Sequence, residues 1–189
     1  MNLNKSYLKS YQTRLQEISR IIDSELLSLN ETQLNWKPAP SSWSVAECIE
    51  HLLLAFDGYI KGLATVIEKG NNEHVVAKNT FKISLAGKLM VFVVDPSIKI
   101  PIPAPLKFKP AKHKQYTHEV LKDFQHVIHL LSSQLEEGKN LDWNLLKITS
   151  PVTSLLKLKM GDTFEVLTLH TLRHLKQAQK VMLNKKFPA

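Results

Sequence analysis

Apolar residues recur every three or four positions along four stretches of the chain, the spacing of one face of an α-helix. The first runs from about Asn4 to Leu29, with Leu8, Tyr11, Leu15, Ile18, Ile22 and Leu26 on its stripe. The polar stretch Asn30 to Asn35, followed by Pro38 and Pro40, breaks it. A second helix is expected to open at Ser44, where Glu47 completes a capping-box pattern. It continues to Lys69, and Gly70-Asn71-Asn72 ends it. The third covers about Tyr116 to Glu137, with Val120, Phe124, Val127, Ile128, Leu131 and Leu135 as its stripe and Gly138 as its stop. The fourth follows Gly161, with Asp162 as the expected N-cap, and carries Phe164, Leu167, Thr171, Leu175, Ala178 and Met182 on one side.

Helices two and three are separated by a connection over residues 73–115. It holds an apolar helix-like piece, Phe81 to Val94, then Pro96, Pro101, Pro103, Pro105 and Pro110. Prolines at that density remove donors and fix φ, which predicts an extended IPIPAPLKFKP. A span this long excludes a hairpin turn. The pattern predicts an all-α fold, a four-helix bundle with a long proline-rich crossover between helices two and three. Six glycines point the same way, and 189 residues suit a single domain over 1–189.

Composition narrows the function classes. A hydrophobic fraction of 43% with 22% charged residues excludes disorder. A single cysteine, Cys48, excludes an intramolecular disulfide and a Cys-rich zinc site. The longest apolar run, Leu89 to Val94, is six residues against roughly 20 for a membrane span. The N-terminal MNLNKSYLKSYQTRLQ has no apolar core or small-residue cleavage site, so a reduced, soluble, cytoplasmic protein is expected. The net charge is +8. Its lysines, such as Lys107, Lys109, Lys112 and Lys114, or Lys176, Lys180, Lys185 and Lys186, form no run of five and no stripe interleaved with aromatics. Neither a specific nucleic-acid partner nor a membrane partner is expected. No glycine-rich phosphate loop is present.

Chemistry enters through eight histidines. His170 and His174 are four residues apart, one turn apart on one helix face, which is how two imidazoles reach one metal ion. They lie roughly 65° and 105° from the centre of their helix's apolar stripe, at the border of the core. No glutamate sits between them, so the HExxH pattern of zinc proteases is absent. The third ligand is open between His51 on helix two and His118, His126 or His129 on helix three. The latter three lie roughly 130° to 150° from their stripe and are expected to face solvent. His51 is about 130° from its own stripe, but HLLLAF is apolar nearly all round, so periodicity leaves its burial undecided. His74 and His113 fall in the connection and carry no partner signal.

The segment Trp36 to Leu52, WKPAPSSWSVAECIEHL, resembles the signature of the DinB-like superfamily, W-x-P, a short loop, then W-S-[IV]-x-E-x-x-x-H-L. About 120 residues on, HTLRHLKQ over His170 to Gln177 is similar to that family's H-x-x-R-H-x-x-Q. The resemblance implies a four-helix bundle in which His51, His170 and His174 bind a divalent metal, zinc or nickel foremost. Three imidazoles would leave coordination positions open, the arrangement of a catalytic site. The KFKP piece of the long connection looks like an element near the mouth of such sites.

The resemblance further implies a metal-dependent enzyme, a thiol S-transferase or a hydrolase, acting on a small molecule such as a low-molecular-weight thiol. A homodimer burying Phe81 to Val94 is expected with it. The rival is a non-catalytic metal-binding or stress-response bundle. Around the ligands, Glu47 is read as a helix cap or a partner of an imidazole or of metal-bound water, and Arg173 and Gln177 as contacts behind the ligands, substrate contacts, or salt-bridging or surface residues. Trp36 and Trp43 are read as wedges at the corner of helices one and two, and Cys48 as a core thiol.

Overall fold

The structure, a computed structural model, describes residues 3–98 and 102–189; Pro101 of the proline-rich run lies outside them. The described residues are mostly helical. In chain order they form α1 (Lys5–Ile21), α2 (Glu31–Asn35), α3 (Val45–Asn72), α4 (Leu85–Val94), α5 (Glu119–Glu137), the strands β1 (Lys147–Thr149) and β2 (Lys157–Lys159), and α6 (Met160–Met182). No helix among them is long and apolar enough to cross a membrane.

The periodic stripes become the core. Leu8, Tyr11, Leu15 and Ile18 of α1, Phe124, Ile128, Leu131 and Leu135 of α5, and Phe164, Leu167 and Leu175 of α6 are all buried. α3 packs on both α5 and α6, and α1 touches the same two helices from the other side. The short α2 and a 3₁₀ turn, Leu106–Phe108, also press on α3. That explains the burial of Val45 through Ile49 on all sides and settles the position of His51, which is 4% exposed.

Several boundaries differ from the sequence expectation, each for a local reason. α1 does not simply stop near Leu29 but widens into a π-helical turn, Ile22–Leu26, which keeps Ile22 and Leu26 buried. The polar stretch 30–35 does end the first helix, but it forms a short helix of its own: Asn30 accepts from Gln33 N, and the Gln33 side chain accepts from Asn30 N, which caps α2. α3 runs through Gly70-Asn71-Asn72 rather than ending before them. Asp162 is not the N-cap of α6. The helix begins at Met160, and the buried Asp162 carboxylate reaches back to Lys159 N at 3.0 Å. The antiparallel pair β1–β2, with Ile148 opposite Leu158, was not expected from the sequence.

The connection is built rather than loose. Phe81 is buried against an aromatic group that includes Tyr7 and Trp143. Asp162 accepts from Ser84 N at 2.9 Å and from Ser84 Oγ at 2.5 Å, pinning the start of α4 to α6. Gly87 allows the close approach, since a Cβ there would lie 2.4 Å from Asp162 Oδ1. At the other end of α4, Arg173 Nη1 donates to the carbonyls of Asp95 and Ile98 at 2.9 and 3.0 Å. Residues 102–105 carry no regular structure, in line with the prolines.

Candidate metal centre

Two helices and one turn assemble the histidines. α3 starts with the expected capping box: Ser44 Oγ accepts from Glu47 N at 3.2 Å, and Glu47 Oε2 accepts from Ser44 N at 2.9 Å. Glu47 also pairs with Lys37 at 2.6 Å, so its carboxylate serves the helix start and not an imidazole. The cap fixes the phase of α3, and His51, two turns on, then faces α6. On α6, His170 and His174 come from successive turns. Thr168 and Thr171, buried on α6, return their hydroxyls to carbonyls one turn back, and Thr168 Oγ1 also accepts from Arg14 Nη1 at 3.2 Å.

The three Nε2 atoms converge. His51 Nε2 and His174 Nε2 each lie 3.1 Å from His170 Nε2. The three imidazoles are the one group of potential ligands among the described residues whose donor atoms could hold a metal ion together. The opposite ring nitrogens of His51 and His174 are spoken for. His51 Nδ1 donates to the Phe108 carbonyl at 2.8 Å, and His174 Nδ1 donates to Gln177 Oε1 at 3.0 Å. A neutral imidazole with its proton on Nδ1 presents a bare lone pair at Nε2. Two such lone pairs therefore point at the third ring.

Electrostatics agree. Burial pushes His51 down from its usual value, against the raising effect of the Phe108 carbonyl. Burial, then the neighbouring His174 and His51, holds His170 well below the usual range. Burial and His51 push His174 down to about 3. All three are neutral at pH 7, as metal ligation requires. The donor set fits a divalent ion. At nitrogen–metal distances of about 2.1 Å, neighbouring ligands sit about 3.0 Å apart at right angles and about 3.4 Å apart in a tetrahedron. The observed 3.1 Å falls between these.

Aromatic rings close the site. Trp43 lies 5.0 Å from the His51 ring and 5.7 Å from the His174 ring, so its role is at the site and not only at a helix corner. Trp36 instead meets Phe187 edge-on near the C-terminus. Cys48 is fully buried, with its thiol pushed up by burial, and is a core residue. His126 and His129 are exposed as expected. His118 is not solvent-facing: half-buried, it donates to the Leu29 carbonyl at 2.6 Å. Neither His74 nor His113 approaches the site; both adopt positive φ in the connection.

A cavity of about 830 Å³ opens over the imidazoles. Its walls include Met90, Val93 and Val94 of α4, Pro103 and Pro105 of the connection, and Val166 of α6. Lys109, Arg173 and Lys180 also line it, and no carboxylate does among the described residues. Tyr59, two turns beyond His51 on the same face of α3, reaches the cavity and shares a 2.7 Å hydrogen bond with Ser150. A smaller cavity of about 460 Å³ between α3 and α5 lies away from the histidines. The sequence did not reveal the Phe108 carbonyl, because a main-chain oxygen has no residue signature. It could have revealed Tyr59 through the i, i+4, i+8 spacing of His51, Ala55 and Tyr59.

No curated protein and no solved structure matches the chain. The sequence profile of the DinB superfamily matches residues 20–178, a span that holds α2 to α5, both strands, and all three converging histidines. The chain belongs to the DinB superfamily.

Proposed function

We propose that His51, His170 and His174 hold a divalent metal ion, zinc or nickel foremost, and that the chain is a metal-dependent enzyme acting on a small molecule in the cavity above them. The observation that carries this reading is the convergence of three Nε2 atoms, with the outer nitrogens of two of the rings, His51 and His174, already committed to Phe108 O and Gln177 Oε1. Such outer partners fix the ring orientation and the tautomer that ligation needs. α1, α3, α5 and α6 are, on this reading, the four helices of a DinB-type bundle within a single domain, with residues 73–115 as its crossover.

A bound divalent ion supplies Lewis acidity, lowering the pKa of a thiol or water so that a nucleophile exists near neutral pH. The chain's own residues supply the rest. Phe108 and Gln177 keep the His51 and His174 imidazoles aimed, and Trp43 shields the same two from solvent. The apolar wall of Met90, Val93 and Val94 excludes water from one side of the substrate. A low-molecular-weight thiol attacking an electrophile, or the hydrolysis of such an adduct, suits this arrangement. A three-histidine site under an open cavity favours catalysis over a purely structural bundle, whose metal would be closed off by a fourth protein ligand.

The test is elemental analysis of purified protein, followed by assays of thiol conjugation and adduct hydrolysis. One equivalent of divalent metal, with activity lost in His51→Ala, is the expected result. Protein that takes up no metal on reconstitution would overturn the reading.

A further inference from the structure

α4 is apolar almost all round, with Lys88 as its single charged residue. A helix of that kind is normally buried on every side. Here only Gly87 and Val94 are buried, while Leu85, Leu89 and Phe92 are 86%, 63% and 50% exposed. At about 100° per residue these three form one ridge within about 60°, on the side opposite Gly87 and Val94. Leu106 and Ile102, from the same connection, are also exposed. The outward ridge is therefore a consequence of how α4 docks, because its other face is committed to α6 through Asp162 and Arg173.

The connection that carries the ridge is one-sided in charge. Residues 74–118 contain eight lysines and a single acid, Asp95, and so carry seven of the chain's eight net positive charges. Lys82 and Lys88 are exposed beside the ridge, and Lys159 donates to the Lys82 carbonyl at the start of α4. At its end, the one acid is already engaged: Ser97 bonds the Asp95 carboxylate through both its hydroxyl and its backbone N–H, and Lys176 lies close by.

We propose that the outer face of α4, with Lys82 and Lys88 beside it, is a docking surface for an anionic lipid bilayer. Leu85, Leu89 and Phe92 enter the headgroup–acyl boundary while Lys82 and Lys88 meet lipid phosphates, the usual pairing of an apolar ridge with flanking cations at such interfaces. Charge complementarity selects this occupant. A second copy on the same face, which the sequence predicts for Phe81 to Val94, would bring two strongly basic connections together. The shape agrees, since a convex ridge needs a fluid surface that yields around it, whereas a protein partner needs a matching groove. This proposal runs against the sequence expectation that no membrane takes part. It stands whether or not the histidines hold a metal, because none of Lys82, Leu85, Lys88, Leu89 and Phe92 lines the cavity over them.

The experiment is co-sedimentation of the full-length protein with vesicles of phosphatidylcholine containing phosphatidylglycerol, against phosphatidylcholine alone, at low and high salt. Binding to the anionic vesicles alone, weakened by salt, is expected. Lys82→Gln with Lys88→Gln should weaken it about 25-fold, at about fivefold per lysine. Leu89→Ser should weaken it about tenfold or more. Lys122→Gln, on α5 across the molecule, should leave it unchanged. All these side chains are exposed, so the unfolding midpoint of each variant serves as a folding control. Equal binding to both vesicle types, or no binding at low salt, would overturn the proposal. So would indifference to Leu89→Ser, which leaves charge alone. A dimer in light scattering that Leu89→Ser dissolves, without vesicle binding, would assign the ridge to a second copy. Retention on polyglutamate but not on vesicles would assign it to an acidic protein.

Discussion

His51 and His174 owe their free Nε2 lone pairs to neighbours on different elements, Phe108 O in the connection and Gln177 on α6. Removing such an outer partner costs metal affinity without removing a ligand. Gln177→Ala should lower affinity by about 10- to 100-fold in a competition titration, and His51→Ala, His170→Ala or His174→Ala should abolish stoichiometric binding. His126→Ala and His129→Ala should bind as the wild type does. The same burial makes the metal-free protein acid-sensitive. All three imidazoles titrate below their unfolded value of about 6.5, so between those limits the unfolded chain binds more protons than the folded one. Their contribution is intact above that pH and is lost as pH falls towards the folded values, by up to about 1.4 kcal/mol per pH unit for each ring. Urea midpoints of chelator-treated protein should therefore drop between about pH 7 and pH 5, and drop less in His170→Ala. A flat profile would contradict this. The spacing of His170 and His174 was legible in the sequence. His51 was not legible from periodicity, because its burial comes from α6 and the 3₁₀ turn packing where α3 shows no clean stripe.

Among the elements, α4 shows how far local pattern reaches. A helix-like piece over Phe81 to Val94 was readable, but an all-apolar run gives no stripe from which to choose the docked face. That choice is made by Asp162 and Gly87. Asp162→Ala removes three accepted hydrogen bonds from a buried carboxylate and should cost about 3 kcal/mol in chemical denaturation. Gly87→Ala places a methyl against Asp162 and should cost about 1–3 kcal/mol. Both should also disturb the cavity wall at Met90 and Val94. The three-residue strands escaped notice because KIT and KLK are too short to show a period of two. They exist because Ile148 and Leu158 bury into the core from opposite strands.

For the whole molecule, a metal bound only by the folded state adds stability by mass action. At free metal about 100-fold above its dissociation constant the gain is about 2.7 kcal/mol. For a chain of this size that corresponds to about 5–10 °C in the unfolding midpoint. Chelation should remove that increment from the wild type and change nothing in His51→Ala, as read by differential scanning calorimetry. The helical class was legible throughout. The excess of lysines over residues 74–118 was legible too, but the apolar ridge beside Lys82 and Lys88 was not, because the docking of α4 decides which of its faces is exposed. One contact has a longer reach. His51 is held by a main-chain oxygen, and every residue type carries that oxygen. The connection can therefore exchange its side chains, and with them the shape of the cavity it walls, without surrendering its grip on the histidine. On the proposed function, substrate preference and ligand geometry would thus be separately mutable, and one scaffold could diversify its chemistry by drift in a segment whose backbone course alone is constrained.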